Sequence, residues 1–319
     1  MRILFVTSTR IGDAVLSTGL LNYLMQRHPS ARVWVACGPQ PAPLFTAAPQ
    51  VERVIPVVKK PFALHWLILW AKTVLKPWSL VVDLRGSTLG YFLLAKERRV
   101  YRASKDPTHR VEQMSSFWGL KEPAAPRLWL RSRHEDTARR MIPPGTPVLA
   151  LAPTANWRGK EWPAENFVTL AERLTHSGAP LAGARIAIFG AESERAAALP
   201  VIEAFPESRR IDLVGRTDML TAAACLARCS FFIGNDSGLM HVAAAAGVPT
   251  LGLFGPSRPE HYAPWGRRAA YVTTATPLEK LFPPDYNHET TGTLMGSLSV
   301  DSAEAAALEL WRKAYGAAA

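Results

Sequence analysis

Short apolar runs alternate with amphipathic stretches along most of the chain. Residues 2–6 read Arg-Ile-Leu-Phe-Val, a β-branched and aromatic run suited to a buried strand. A polar loop covers 7–13. Residues 14–27 then carry Val15, Leu16, Leu20 and Leu24 at helical spacing, and Pro29 ends that helix. Residues 32–36 make the next strand, and 54–58 and 80–84 repeat the signal, with a shorter one at 98–101. Strand, loop, helix and strand in this order predict a parallel sheet.

The series restarts in the middle of the chain. A charged helix over 132–141 is followed by Pro143-Pro144-Gly145-Thr146-Pro147, the strongest punctuation there, and a domain boundary is expected at 145/146. Strands at 148–152, 185–189, 210–214, 231–234 and 250–254 alternate with helices at 164–177, 193–205 (despite Pro200), 221–229 and 239–246. A last amphipathic helix covers 302–315. Both halves therefore read as doubly wound α/β domains, 1–145 and 146–319. Ligands of such sheets bind outside the carboxyl ends of the strands, so two of them would face a central cleft.

Composition sharpens this picture. The chain has 319 residues, 48% of them apolar and 20% charged, which suits packed domains and argues against disorder. Its 26 prolines imply many stiff loops. Cys37, Cys225 and Cys229 are too few for a disulfide framework. Cys225 and Cys229 could be a zinc pair, but no second pair or His cluster joins them, so they read as buried thiols in a reducing cytoplasm. The opening lacks a signal-peptide pattern, and no run reaches the ~18 apolar residues of a membrane span. The net charge of +11 allows nucleic acid, a membrane surface or an anionic substrate.

Three loops carry candidate chemistry. The run Phe231-Phe232-Ile233-Gly234 leads into Asn235-Asp236-Ser237-Gly238 and an alanine-rich helix. Unpaired N–H groups at a helix start attract anions, and Gly238 lets a phosphate approach the backbone. The same residues also make a plain N-cap. Asp236 would repel phosphate, so it is expected to hold N–H groups or accept a sugar hydroxyl. His241 shares a helix face with Ser237, yet the Gly-x-Ser-x-Gly elbow of a hydrolase is missing.

After the strand at 148–152 comes Thr154, then Arg158 and Lys160, which suit a diphosphate leaving group. A solvated basic loop would look the same. After the first strand comes Arg10-Ile11-Gly12-Asp13. Asp13 is either the N-cap of the following helix or a general base toward an acceptor hydroxyl.

Several classes lose ground. Gly-x-Gly-x-x-Gly after a strand, a Walker A loop, an Asp-x-Asp pair and His-rich metal spacing are all missing from the sequence. Residues 59–78 are basic and aromatic around an apolar run. They suit either a core helix or a membrane interface, and basic charge there favours anionic lipid or phosphorylated glycolipid. No nucleic-acid motif accompanies them.

Five motifs in order resemble the lipopolysaccharide heptosyltransferases, glycosyltransferase family 9, from Arg2 to about Trp311. They are Arg10-Ile11-Gly12-Asp13-Ala14-Val15-Leu16, Asp83-Leu84-Arg85-Gly86, Lys160-Glu161-Trp162-Pro163, Asp236-Ser237-Gly238-Leu239-Met240-His241, and Leu253-Phe254-Gly255-Pro256-Ser257 followed by Trp265. The resemblance implies a GT-B fold of two Rossmann-like domains, with a final helix that often returns to the first. It implies a metal-independent, inverting transfer from a nucleotide sugar, typically ADP-heptose, to the lipopolysaccharide inner core. It needs no cofactor.

On that resemblance Asp13 is the general base. Thr154, Lys160, Asp236, Ser237, Gly238 and His241 belong to the donor loops. Glu194 contacts the ribose, with Glu192 competing for that role, and Met219 lies near the base. Lys59, Lys60 and Arg85, with Lys72 and Arg102, would meet acceptor phosphates or sugar acids on the first domain. The enzyme would work in the cytoplasm, peripheral on the inner membrane. A related nucleotide-sugar epimerase or hydrolase, and a non-enzymatic membrane-associated binding protein, are the alternative readings. The stretch 276–296, which includes Pro283-Pro284-Asp285-Tyr286, departs from better-known members of the family.

Overall fold

The first expected strand forms as β1 (Arg2–Val6) and leads to α1 (Ile11–Arg27), β2 (Arg32–Cys37) and β3 (Val51–Pro56). The chain then crosses through α2 (Leu64–Thr73) to β4 (Trp78–Asp83), β5 (Ala95–Val100) and α3 (Arg110–Trp118). These coordinates are a computed structural model that describes residues 1–316 except 103, 105, 288 and 289. The five strands pair in parallel in the order β3-β2-β1-β4-β5. The order reverses between β1 and β4, so the crevice at their carboxyl ends is the place where such a sheet binds ligands.

Two contacts of α1 show why this unit closes as it does. A Cβ on Gly19 would stand 1.9 Å from the carbonyl oxygen of Ala124, so the bare α1 backbone lets the segment after α3 lie directly on it. Thr18 Oγ1 accepts the Arg127 N–H at 2.9 Å beside that contact.

The second unit begins with α4 (Ser132–Met141) and continues through β6 (Val148–Ala152), α5 (Ala164–Thr175), β7 (Arg185–Ile188), α6 (Arg195–Glu203) and β8 (Arg210–Asp212). Then come α7 (Met219–Leu226), β9 (Phe231–Asn235), α8 (Gly238–Ala246), β10 (Thr250–Phe254), α9 (Pro259–Tyr262), β11 (Ala269–Thr273) and α10 (Val300–Tyr315). Its strands are all parallel, in the order β11-β10-β9-β6-β7-β8, and the reversal lies between β6 and β9. The central strands β6, β9 and β10 are buried on both faces, which is why they read as continuous apolar runs.

The division between units is Met1–Arg131 and Ser132–Ala319, not 145/146 as the proline cluster suggests. Helix α4 buries His134 and Ala138 and packs on α7, and Arg228 Nε donates to the Ile142 carbonyl at 2.6 Å. The proline run is thus a loop inside the second unit. The buried face of the final helix α10 (Ala303, Ala307, Leu310) lies in the second unit's core, against α5, β10 and β11.

Strand β5 is only partly expected from the sequence, and helix α3 is not. Strand β5 carries the exposed Lys96, Glu97, Arg98 and Arg99 because it is an edge strand, and only its tail at 98–101 reads as a strand. Helix α3 is amphipathic but short, and is started by His109, which caps it at the Val111 N–H. No helix among the described residues is long and apolar enough to cross a membrane. The three cysteines are buried, with burial raising the Cys37 thiol to about 12 and the Cys225 thiol to about 11. No group of three or more His, Cys, Asp or Glu positioned for a metal occurs among the described residues.

Candidate active site

Strand order lines up the second unit's candidates in a row along the carboxyl edge of the sheet. From β10 outward the row runs through Ser257, then Asp236–Gly238 after β9, Thr154 and Lys160 after β6, Glu192 and Glu194 after β7, and Met219 beyond β8. The β6/β9 switch point is the centre of the row.

At that centre Lys160 Nζ and Asp236 Oδ2 are 2.5 Å apart. The Asp236 side chain is only 9% exposed and that of Lys160 21%. The presence of a carboxylate at this loop is thereby explained. Its charge is spent on Lys160 and holds the ammonium at the mouth of α8. Ser237 stands at the N-cap of α8, but its side chain does not cap the helix. Its Oγ is buried and meets no hydrogen-bond partner among the described residues, as is also true of Ser257 Oγ. A buried hydroxyl, that of Ser237, and the first N–H groups of α8 therefore lie together where an anion is favoured. His241 is buried one turn further along α8.

Thr154 Oγ1 donates to Glu194 Oε2 at 3.1 Å, and Glu194 also accepts the Ala191 N–H at 2.8 Å. Glu192 instead pairs with Arg195 at 3.4 Å, with most of its side chain in solvent. Of the two glutamates, Glu194 is the one the structure joins to the central loops. Met219 opens α7, half-buried, at the outer end of the row.

Three site residues carry no role in the sequence reading. Asn235 is fully buried at the end of β9. Its Nδ2 donates to the Pro153 carbonyl at 2.8 Å and its Oδ1 accepts the Trp162 N–H at 3.1 Å, so it ties both ends of the Thr154–Lys160 loop to the sheet. The signal was there: one polar side chain closing an otherwise apolar strand must find partners. Glu161 accepts the Ala155 N–H at 3.1 Å. Burial raises its carboxyl above the usual range, and the nearby Glu194 adds to the rise. Trp157 stacks on Phe282, with ring centroids 6.3 Å apart, and meets Tyr286 edge-on. Gly159 is bare because a Cβ there would lie 2.6 Å from the Trp157 ring.

In the first unit the β1/β4 switch point carries two loops. Helix α1 starts at Ile11, with Arg10 at its N-cap, so Asp13 is not the cap but the third helical residue. An ionised carboxylate in a first turn is favoured by the helix dipole. Ser8 Oγ donates to Asp13 Oδ2 at 3.3 Å. Asp83, fully buried at the end of β4, accepts the Arg85 N–H (2.7 Å), the Ser87 N–H (2.9 Å) and the Ser87 hydroxyl (2.5 Å). Burial outweighs those bonds and pushes its carboxyl upward. This cradle shapes the loop that carries Arg85, whose guanidinium lies 5.8 Å over the Trp66 ring. Lys59, Lys60, Lys72 and Arg102 are exposed and lie apart from this cradle in sequence, before α2, in its last turn and after β5. His288, in the divergent stretch, lies outside the described residues.

Residues 78–283 match the family model for glycosyltransferase family 9 (heptosyltransferase). Lipooligosaccharide heptosyltransferase 2 of Haemophilus influenzae is 23% identical over 313 residues, covering 85% of this chain and 88% of the relative. The solved structure of E. coli ADP-heptose LPS heptosyltransferase II superposes with a TM-score of 0.74 at 21% identity, covering 98% of both chains. That of a glycosyl transferase family 9 protein from Veillonella parvula gives 0.76 at 20% identity, covering 97% of both. The likeness extends over both α/β units and is that of the GT-B fold.

Proposed function

The chain belongs to glycosyltransferase family 9 and is a glycosyltransferase of heptosyltransferase type, and on that footing we propose that it moves a heptose-like sugar from an ADP-sugar to an inner-core acceptor of lipopolysaccharide. The observation that carries this reading is the convergence of Thr154, Lys160, Ser237 and the start of α8 at one switch point. The donor diphosphate binds there. Its oxygens take the α8 N–H groups and the Ser237 hydroxyl, and compete with Asp236 for the Lys160 ammonium. Glu194, already bonded to Thr154, meets the ribose, Met219 lies by the base and His241 backs the loop.

The acceptor binds on the first unit, with Arg85, Lys59 and Lys60 on its phosphates. Asp13 takes the proton as the acceptor oxygen attacks the anomeric carbon. The bond from that carbon to the diphosphate breaks, its electron pair leaves with ADP, and configuration inverts. Lys160 and the α8 dipole stabilise the growing charge on the leaving group, so the transfer runs without a metal or other cofactor. The enzyme works on the cytoplasmic face of the inner membrane, where a glycolipid acceptor is presented.

The test is transfer from ADP-heptose to a delipidated, phosphorylated core acceptor in the presence of a chelator, with the product anomer read by NMR. Chelator-resistant formation of the inverted glycoside is expected. Rapid donor breakdown that ignores the acceptor would overturn the reading.

A further inference from the structure

Helix α2 is mostly apolar, yet the fold covers only one side of it. Leu69 and Thr73 are buried, and Trp66, Trp70 and Val74 pack on the cluster that holds Leu4, Val81 and Trp78. Leu64, Leu67 and Ile68 follow one another at helical spacing on the opposite side, and all three are exposed. A globular surface helix normally puts polar residues there.

The bare face does not end with the helix. Phe62, 97% exposed, precedes it, and Leu75, 89% exposed, follows it. Phe62 and Ala63 both adopt left-handed backbone, φ 51° and 55°, which side-chain-bearing residues rarely do. This strained turn holds the Phe62 ring in solvent. The Trp70 indole N–H donates to the Phe92 carbonyl at 2.9 Å, and that bond brings the exposed Tyr91, Phe92 and Leu94 alongside. Contiguous apolar patches of this kind mark a contact surface.

Charge says which contact. Between positions 54 and 96 the chain carries Lys59, Lys60, Lys72, Lys76, Arg85 and Lys96, against one acid, Asp83, which is buried. Every exposed charge in that stretch is therefore positive. Exposed aliphatic and aromatic side chains ringed by lysines suit the headgroup–acyl boundary of an anionic bilayer.

We propose that the outer face of α2, with Phe62, Leu75 and the 91–94 segment, docks this protein on an anionic lipid surface. The apolar side chains enter the acyl boundary and the lysines meet lipid phosphates. This deepens the reading of a lipid-borne acceptor above, because it gives the unit that receives the acceptor its own hold on the surface.

The test is co-sedimentation of the full chain with vesicles of phosphatidylcholine alone or mixed with phosphatidylglycerol, without any acceptor. Binding is expected only with phosphatidylglycerol, and it should weaken as salt rises. The F62S/L67S/L75S variant should lose about tenfold or more in vesicle affinity, and K72E/K76E about tenfold. Both should keep the wild-type Tm and circular dichroism, because these side chains lie in solvent. Wild type that stays in the supernatant with both vesicle types, or variants that bind as wild type does, would overturn the proposal. So would a wild-type dimer that ignores vesicles and becomes monomeric in F62S/L67S/L75S, since the face would then belong to a second copy. The transfer assay uses a delipidated acceptor, so failure of either experiment leaves the other readable.

Discussion

Lys160 and Asp236 reach each other from loops that follow neighbouring strands, and their 2.5 Å ion pair occupies the point where the strand order of the second sheet reverses. In the proposed reading the pair holds an ammonium ready for the donor diphosphate. Lys160→Met is expected to weaken ADP binding roughly ten- to hundredfold, the range for a lost charge-assisted hydrogen bond. Asp236→Asn should weaken it less. The double variant should lose less than the two singles combined, by about 1 kcal/mol. Calorimetric titration of the four proteins with ADP checks this, and strict additivity would mean the two side chains act separately.

Asp13 sits in the first turn of α1 and not at its cap, so removing its charge should not unwind the helix start. Asp13→Asn is expected to lower the transfer rate by about 10²–10⁴ while leaving ADP affinity and Tm near wild type. A variant that kept most of its rate would remove Asp13 from the base role.

Asn235 satisfies two backbone groups that no other described side chain reaches. Asn235→Ala should cost about 2–4 kcal/mol of unfolding free energy through two buried orphans. Denaturant titration gives the loss. Hydrogen exchange should locate it, with the Trp162 amide losing protection.

Asp83 gives a pH signature. Its folded pKa is raised by burial, so the folded protein holds the proton more tightly than the unfolded chain. Stability contributed by Asp83 is then greatest at acid pH. It falls as pH rises from the usual carboxylate value of about 4 through the raised folded value, and is flat above that. The Tm difference between wild type and Asp83→Asn, which does not titrate, should therefore shrink with rising pH over that window. A difference that grows with pH would contradict the burial argument.

The buried thiols should be slow to react. Burial raises all three, Cys229 furthest. Native protein should leave a thiol reagent nearly unconsumed, while the denatured chain should take up three equivalents. Fast native reaction at any one of them would show that its surroundings open.

Much of this was legible in the sequence because parallel strands buried on both faces declare themselves as apolar runs. Strands β6 and β10 fall at the expected residues, and β9 only adds Asn235. Two edge strands, β5 and β11, are less legible. Only the tail of β5 was anticipated, since most of its side chains are charged and meet water, and β11 was hidden by mixed exposure. The domain boundary misled for a physical reason: prolines mark a loop, but only packing says to which unit a helix belongs, and α4 packs on α7. The site residues were readable as types at strand ends. What the sequence could not hold was pairing across distance, such as Lys160 with Asp236, Thr154 with Glu194, or Asn235 with two loops at once. Those partners are 76, 40 and 73–82 positions apart, and strand order alone brings them together.

The Asn235 clamp has a consequence for how donor recognition would fail. Because one strand-end side chain fixes both ends of the loop that bears Thr154 and Lys160, a nucleotide bound as proposed would arrive at a backbone already ordered and need not freeze it. Nucleotide affinity thus becomes a gauge of strand β9. Substitutions that slacken this strand, even at Phe231 or Ile233 far from any ligand atom, would erode binding at temperatures where the rest of the chain is still folded.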